Sequence, residues 1–479
     1  MTVVNCPESI AGLDRPQKQS SIAATGGTMA HDSDLNRRTF LQHAGLTAVW
    51  GVVGAGAAGR ADAAPSAKPT QVGFDFDEVY NRFGTDSTKF DRQIRLFGKD
   101  SIEVGMGIAD MDFRVAPVIT RALKRRLEHE NWGYLDNQRM IVDGIIAWNK
   151  RRYGVDIEPD QMVISAGVHP ALISAMATFC PRGSKVLMTT PVYNGFYSDL
   201  RYLQLLAEES PLKLVDGRYS IDFDDFERRI SHDTNVFLLC NPQNPTGNVW
   251  SADDLLRLGE ICLRRRVVVL SDEIHCDFVN KDHKYTPFAS LPNKAVVDNS
   301  ITFKAASKSF GLAAHKVAWF HSTNDDLMTR VKANHWVDLN TLGLIANQAA
   351  YEGGEDWLNQ LVTYIDGTHA IAAQFIKAHI PAIKWVKPEG TYLAWLDVTE
   401  VAERIGARAQ AEAATRAEGR PVTPEMIVER FFVKQAKVHL NQGASYGLGG
   451  ANHMRMNIAT SRKLVERALN NMASALKKT

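Results

Sequence analysis

The chain has 479 residues, 45% of them hydrophobic and 23% charged, which is ordinary globular composition and enough for two packed domains or one large one. With 55 basic against 54 acidic side chains the formal net charge is +1, leaving no electrostatic case for a nucleic-acid partner or a polybasic membrane patch. Outside the N-terminus no apolar run approaches the ~20 residues of a membrane span, and no internal repeat is visible.

Residues 1–63 read as a targeting segment that is not part of the fold. Arg37 and Arg38 precede Phe40 and Leu41, and a weakly apolar Ala/Gly/Val run follows from Ala44 to Ala58. Ala61-Asp62-Ala63 then supplies a small-x-small cleavage site. The pattern is that of a twin-arginine signal, so the expected location is the periplasm or beyond, or the cytoplasm if the signal is not used.

Helix-like and strand-like segments alternate from there. Ile141, Ile145, Ile146 and Trp148 give residues 138–153 helical spacing, and Ala171–Cys180 reads as a short apolar helix. Lys185–Thr189, Asn235–Cys240 and Val267–Leu270 are short apolar runs of buried-strand type. Between the last two, Ser251–Arg266 opens on a serine cap and carries Leu255, Leu256, Leu258 and Ile261 on one face. Such alternation predicts a mainly parallel sheet covered on both sides, with ligands bound at the carboxyl edge of its strands. Toward the C-terminus, Thr391–Leu396 alternates like a strand packed on one side and Ser461–Leu476 reads as a terminal helix. An Ala/Arg/Glu-rich helix over 400–420, ending at Gly419 and Pro421, reads as an insertion in a smaller α+β domain.

Of the five cysteines, Cys6 lies in the leader, and Cys180, Cys240, Cys262 and Cys276 sit in apolar runs. No C-x-x-C and no zinc-site spacing occurs, so buried, inert thiols and no metal centre are expected.

Three features fall at strand ends. CNPQNPTG (240–247) sets Asn244 on a turn stiffened by two prolines; SDEIHCDF (271–278) brings Asp272, Glu273 and His275; and KAASKSFGLAAHK (304–316) packs three lysines among small residues. An amide, a carboxylate and a lysine at adjacent edges are what pyridoxal phosphate requires. The lysine binds its carbonyl carbon, the carboxylate keeps the pyridine nitrogen protonated, and an amide or imidazole meets the phenolate oxygen.

The collinear motifs IADMDF (108–113), WGY (132–134), SAGVHPAL (165–172), PVYNGF (191–196), NPQNPTGNVW (241–250), SDEIH (271–275), SKSF (307–310), EGTYLAWLD (389–397) and MRMNIATSR (454–462) resemble those of a fold-type I pyridoxal-phosphate enzyme. The family is the class I/II aminotransferases, and within it the cystathionine β-lyase (C–S lyase) subgroup. The resemblance implies an α/β, aspartate aminotransferase-like fold with a mainly parallel seven-stranded sheet. Its implied divisions are an arm and part of the small domain at 64–120, a large cofactor-binding domain at 121–363 and a small domain at 364–479.

The same resemblance assigns roles. Lys308 matches the Schiff-base lysine that also moves the substrate's α-proton, and Asp272 the partner of the pyridine nitrogen. Asn244 and His275 face the ring hydroxyl, Tyr193 stacks on the ring, and Gly167, Val168 and His169 receive the phosphate at a helix N-terminus. Arg455 binds the α-carboxylate of an amino-acid substrate, while Tyr134 serves the neighbouring subunit of a homodimer with composite sites. Ala305 stands where many relatives carry a phosphate-binding serine, and Lys316 where aminotransferases carry an arginine; Lys304 is expected to be structural or snorkelling. The implied activity is carbon–sulfur β-elimination giving pyruvate, ammonia and a thiol. Transamination is the alternative, and a cofactor-bearing binding or regulatory protein the reading from another class.

Overall fold

Apolar runs without alternation are the sequence's mark of strands covered on both faces, and the computed structural model builds its central sheet from them. The structure describes residues 73–135 and 139–479, so residues 1–63, expected to be a twin-arginine signal, lie outside the described residues. Seven strands form the sheet: β1 (Met162–Ser165), β2 (Lys185–Thr190), β3 (Leu206–Pro211), β4 (Thr234–Cys240), β5 (Val268–Asp272), β6 (Ser300–Lys304) and β7 (Ala318–His321). Their spatial order is β1-β7-β6-β5-β4-β2-β3, parallel except for β7, which runs antiparallel to both neighbours.

Strand β4 shows why the run NVFLLC has no polar face. Val236, Leu238 and Cys240 pack into one layer with Leu172, Met176 and Leu200, while Phe237 and Leu239 pack into the other with Leu255, Leu258 and Ile261. The first layer holds α1 (Val168–Phe179) and α2 (Gly195–Leu203), and the second holds α3 (Ala252–Arg264). Helix α3 starts at a capping box in which the Ser251 side chain accepts from the Asp254 N–H and the Asp254 side chain bonds back to the Ser251 backbone.

A second, antiparallel sheet joins Lys384–Trp385, Leu393–Asp397, His453–Asn457 and Asn441–Gln442 in that spatial order. The single helix expected over 400–420 is two, Thr399–Arg404 and Ala407–Glu418. Gly406 separates them at φ 63°, a left-handed conformation that a side chain disfavours. Among the described residues no helix is long and apolar enough to cross a membrane.

All four described cysteines are free and buried, as the sequence predicted. Burial pushes the thiols of Cys180 and Cys276 up to about 12, and those of Cys240 and Cys262 higher still.

Candidate active site

Sheet register brings the three strand-end features together. Cys240 pairs with Asp272 and Asp272 with Phe303, so β4, β5 and β6 finish level with one another. From that edge emerge the Asn244 turn, the Asp272 carboxylate and a four-residue helix, α4 (Ala306–Ser309), bearing Lys308. They line a cavity of about 730 Å³ together with Tyr193, His275 and Arg455. Gly167, Val168, His169 and Lys316 line it too. Tyr134 does not line the cavity of its own chain; its side chain is fully exposed.

Burial pulls Lys308 down to about 8, helped by the nearby charge of Arg455. Its Nζ donates to the Ala109 carbonyl at 2.9 Å. The IADMDF segment supplying that carbonyl is tied to the second sheet, because the Asn457 amide donates to the carbonyls of Ile108 and Asp110, each at 2.7 Å. Arg82 and Lys89 hold its acidic residues, with Lys89 2.6 Å from Asp112 and Arg82 2.7 Å from Asp110. On the other side, Ser309 donates to Asp277, which also receives Tyr153 and, at 2.7 Å, Arg152. Lys308 thus stands between two anchored walls.

Asp272 is pushed up to about 6 by burial, opposed by the Ile274 N–H at 3.1 Å and by the charges of His169 and Lys308. It has no ion pair with any described residue. His275 is forced well below the ordinary histidine value by burial, which makes it neutral, and its Nδ1 has no described partner. Arg455 donates to Asn244 Oδ1 at 3.2 Å and to the Gly107 carbonyl at 2.8 Å, leaving Nε without a described partner. Helix α1 begins at Gly167 with no side-chain cap, so its first N–H groups are open to an anion. An unpaired buried carboxylate, a neutral imidazole with a spare nitrogen and an uncapped helix N-terminus fit a flat ring with a basic nitrogen and a phosphate tail. That is the shape and chemistry of pyridoxal phosphate.

The three lysines separate clearly. Lys308 faces the cavity, and Lys316 lines it from the end of a short 3₁₀ turn. Lys304 is structural and does not snorkel: it is 4% exposed, donates to Asn149 at 3.2 Å and lies 3.9 Å from the Tyr153 ring centroid. Ala305 brings no hydroxyl to the site, whereas Ser307 also lines it.

Several participants carry no local sequence signal. Asp199 pairs with His169 at 2.6 Å, thirty residues away. Glu273 and Asp277 lie within SDEIHCDF, but nothing in that motif separates their roles from those of Asp272 and His275. Glu273 is buried, accepting from Tyr285, from Ser271 at 2.9 Å and from the Phe288 N–H at 2.9 Å.

A family model described as aminotransferase class I and II matches residues 101–472. The cystathionine beta-lyase PatB of Bacillus subtilis is 36% identical over 408 residues, covering 84% of this chain and 99% of that protein. The pyridoxal-phosphate-bound C–S lyase of Staphylococcus hominis superimposes with a TM-score of 0.73 at 29% identity, covering 85% of this chain and all of that one. Cystalysin of Treponema denticola, whose crystal structure contains the same cofactor, gives a TM-score of 0.76 at 28% identity over 85% of this chain and all of that one.

Proposed function

The chain belongs to the class I and II aminotransferase family, and on that premise we propose that it is a pyridoxal-phosphate-dependent carbon–sulfur β-lyase. It cleaves cystathionine or a related cysteine S-conjugate to pyruvate, ammonia and a thiol. The observation that carries this reading is Lys308, a buried amine held near 8 in the cavity that also presents Asp272 and Arg455.

When bound, pyridoxal phosphate supplies an electron-poor ring that accepts the electron pair left at the substrate's Cα. The α1 N-terminus would hold its phosphate, Asp272 would keep its pyridine nitrogen protonated, and Asn244 and His275 would meet its ring oxygen. Arg455 binds the substrate's α-carboxylate through a fixed guanidinium. Lys308, as the neutral amine, takes the α-proton; with that proton held at Nζ, a sulfur substituent at Cβ departs as thiolate. The same residues would serve transamination, in which Lys308 gives up the α-proton again and the Cβ substituent stays in place. Similarity to named β-lyases favours elimination.

A homodimer is part of this proposal, with the exposed Tyr134 of one copy completing the site of the other. The test of the activity is simple. Purified protein with cystathionine or an S-alkyl-cysteine should yield pyruvate and free thiol with no keto acid added. Lys308→Ala should lose the visible absorbance of bound cofactor and at least ~10³-fold in rate. Turnover that requires a keto-acid acceptor would sink the lyase reading.

A further inference from the structure

The side chain of His169 takes no part in the chemistry above, which needs only the backbone at the start of α1. It is nevertheless built into the site. Nδ1 lies 2.6 Å from Asp199 Oδ2, and the Asp199 side chain is 7% exposed. Nε2 lies 3.3 Å from the Tyr193 hydroxyl. Tyr193 packs edge-on against Phe196 at 5.4 Å, which fixes the ring from the other side. The cluster closes only because residue 195 has no side chain. A Cβ on Gly195 would stand 2.5 Å from Tyr193 Cε1 and 2.7 Å from His169 Cε1.

Four groups act on the imidazole: Asp199 from α2, Tyr193 from the loop before it, Asp272 from the end of β5 and Lys308 from α4. Two of them are carboxylates. Lys308 gains and loses its charge as it carries the α-proton, so it cannot steady Asp272 through a turnover. His169 can.

We propose that His169 and Asp199 form a positioning pair for the cofactor ring. An imidazolium held by Asp199 clamps the Tyr193 hydroxyl and keeps a constant positive charge near Asp272, so that Asp272 remains a carboxylate facing the pyridine nitrogen. The hydrogen bond from Asp199 raises the His169 pKa above the ordinary value against the opposing effect of burial, which agrees with a charged imidazole. The proposal rests on the cofactor reading of the site, and one arm of its test needs no cofactor.

His169→Gln removes the charge and keeps a polar side chain; Asp199→Asn removes the anion and keeps the shape. In both, the acid limb of the kcat/KM profile should move up by about one pH unit, roughly tenfold in rate at a fixed acidic pH. The visible absorbance of bound cofactor should shift its acid titration in the same direction. In the cofactor-free protein, nitrogen NMR of labelled histidine should show His169 titrating at lower pH in Asp199→Asn than in wild type. Acid limbs and absorbance titrations that superimpose on wild type would overturn the proposal, even if melting temperatures fall. So would a His169 titration indifferent to Asp199.

Discussion

Asp272 shows how one residue trades stability for chemistry. Its carboxyl is raised from 3.8 to about 6 by burial, so the folded chain favours the neutral acid. Between those two values the folded state binds more protons than the unfolded one, and stability falls as pH rises. Below 3.8 the cost is absent; above about 6 it is complete. Asp272→Asn should therefore stabilise the cofactor-free protein by ~2–3 kcal/mol at neutral pH. The gain should fade toward pH 4, as urea melts at the two pH values would show. The same substitution should lower kcat by ~100-fold or more, because the positive ring nitrogen loses its fixed counter-charge. A variant less stable than wild type at neutral pH would contradict the argument. Residues of this kind were legible in the sequence because each follows a buried strand: Asp272 ends β5 and Lys308 lies four positions beyond β6. Asp199 was not, since its importance comes from a contact across two helices.

At the scale of elements, apolar runs located β2, β4 and β5 to within one or two residues. They did not reveal β3, whose sequence LAEESP carries two glutamates at the sheet edge, or β7, whose four residues are too few to show a period. The inserted helix misled because alanine, arginine and glutamate favour helix on either side of Gly406, so composition masked the break. The NPTG turn was legible as a turn, but not its dependence on a distant segment. Gly247 sits at φ 78°, and a Cβ there would lie 2.2 Å from Pro388 Cβ and 3.0 Å from the Gly390 carbonyl oxygen. Backbone cannot yield as a side chain tip can. Gly247→Ala should cost ~2 kcal/mol or more, from left-handed strain plus the clash, and should loosen Asn244 along with it. Denaturant melts measure the first effect, and the equilibrium affinity for pyridoxal phosphate the second; an unchanged melt would refute the packing argument.

For the whole molecule, the proposed dimer makes a prediction that no single copy can satisfy. Tyr134→Phe and Lys308→Ala should each be nearly inactive alone. If Tyr134 serves the opposite site, exchanging subunits between the two variants should recover activity: half the dimers are mixed and each mixed dimer has one intact site, so about a quarter of all sites work. No recovery after verified exchange would place Tyr134 outside the neighbour's chemistry. The overall architecture was readable because the motifs keep their order along the chain, whereas the tie between IADMDF and Asn457 spans nearly 350 residues and exists only once the chain has folded. The buried cysteines take on a further meaning in a protein that liberates thiols. Its product could attack any accessible disulfide, and in air could couple to any reachable sulfur on the enzyme. Cys180, Cys240, Cys262 and Cys276 offer neither a bridge to cleave nor a surface thiol to join. The folded catalyst is inert at these four positions to the reagent it manufactures.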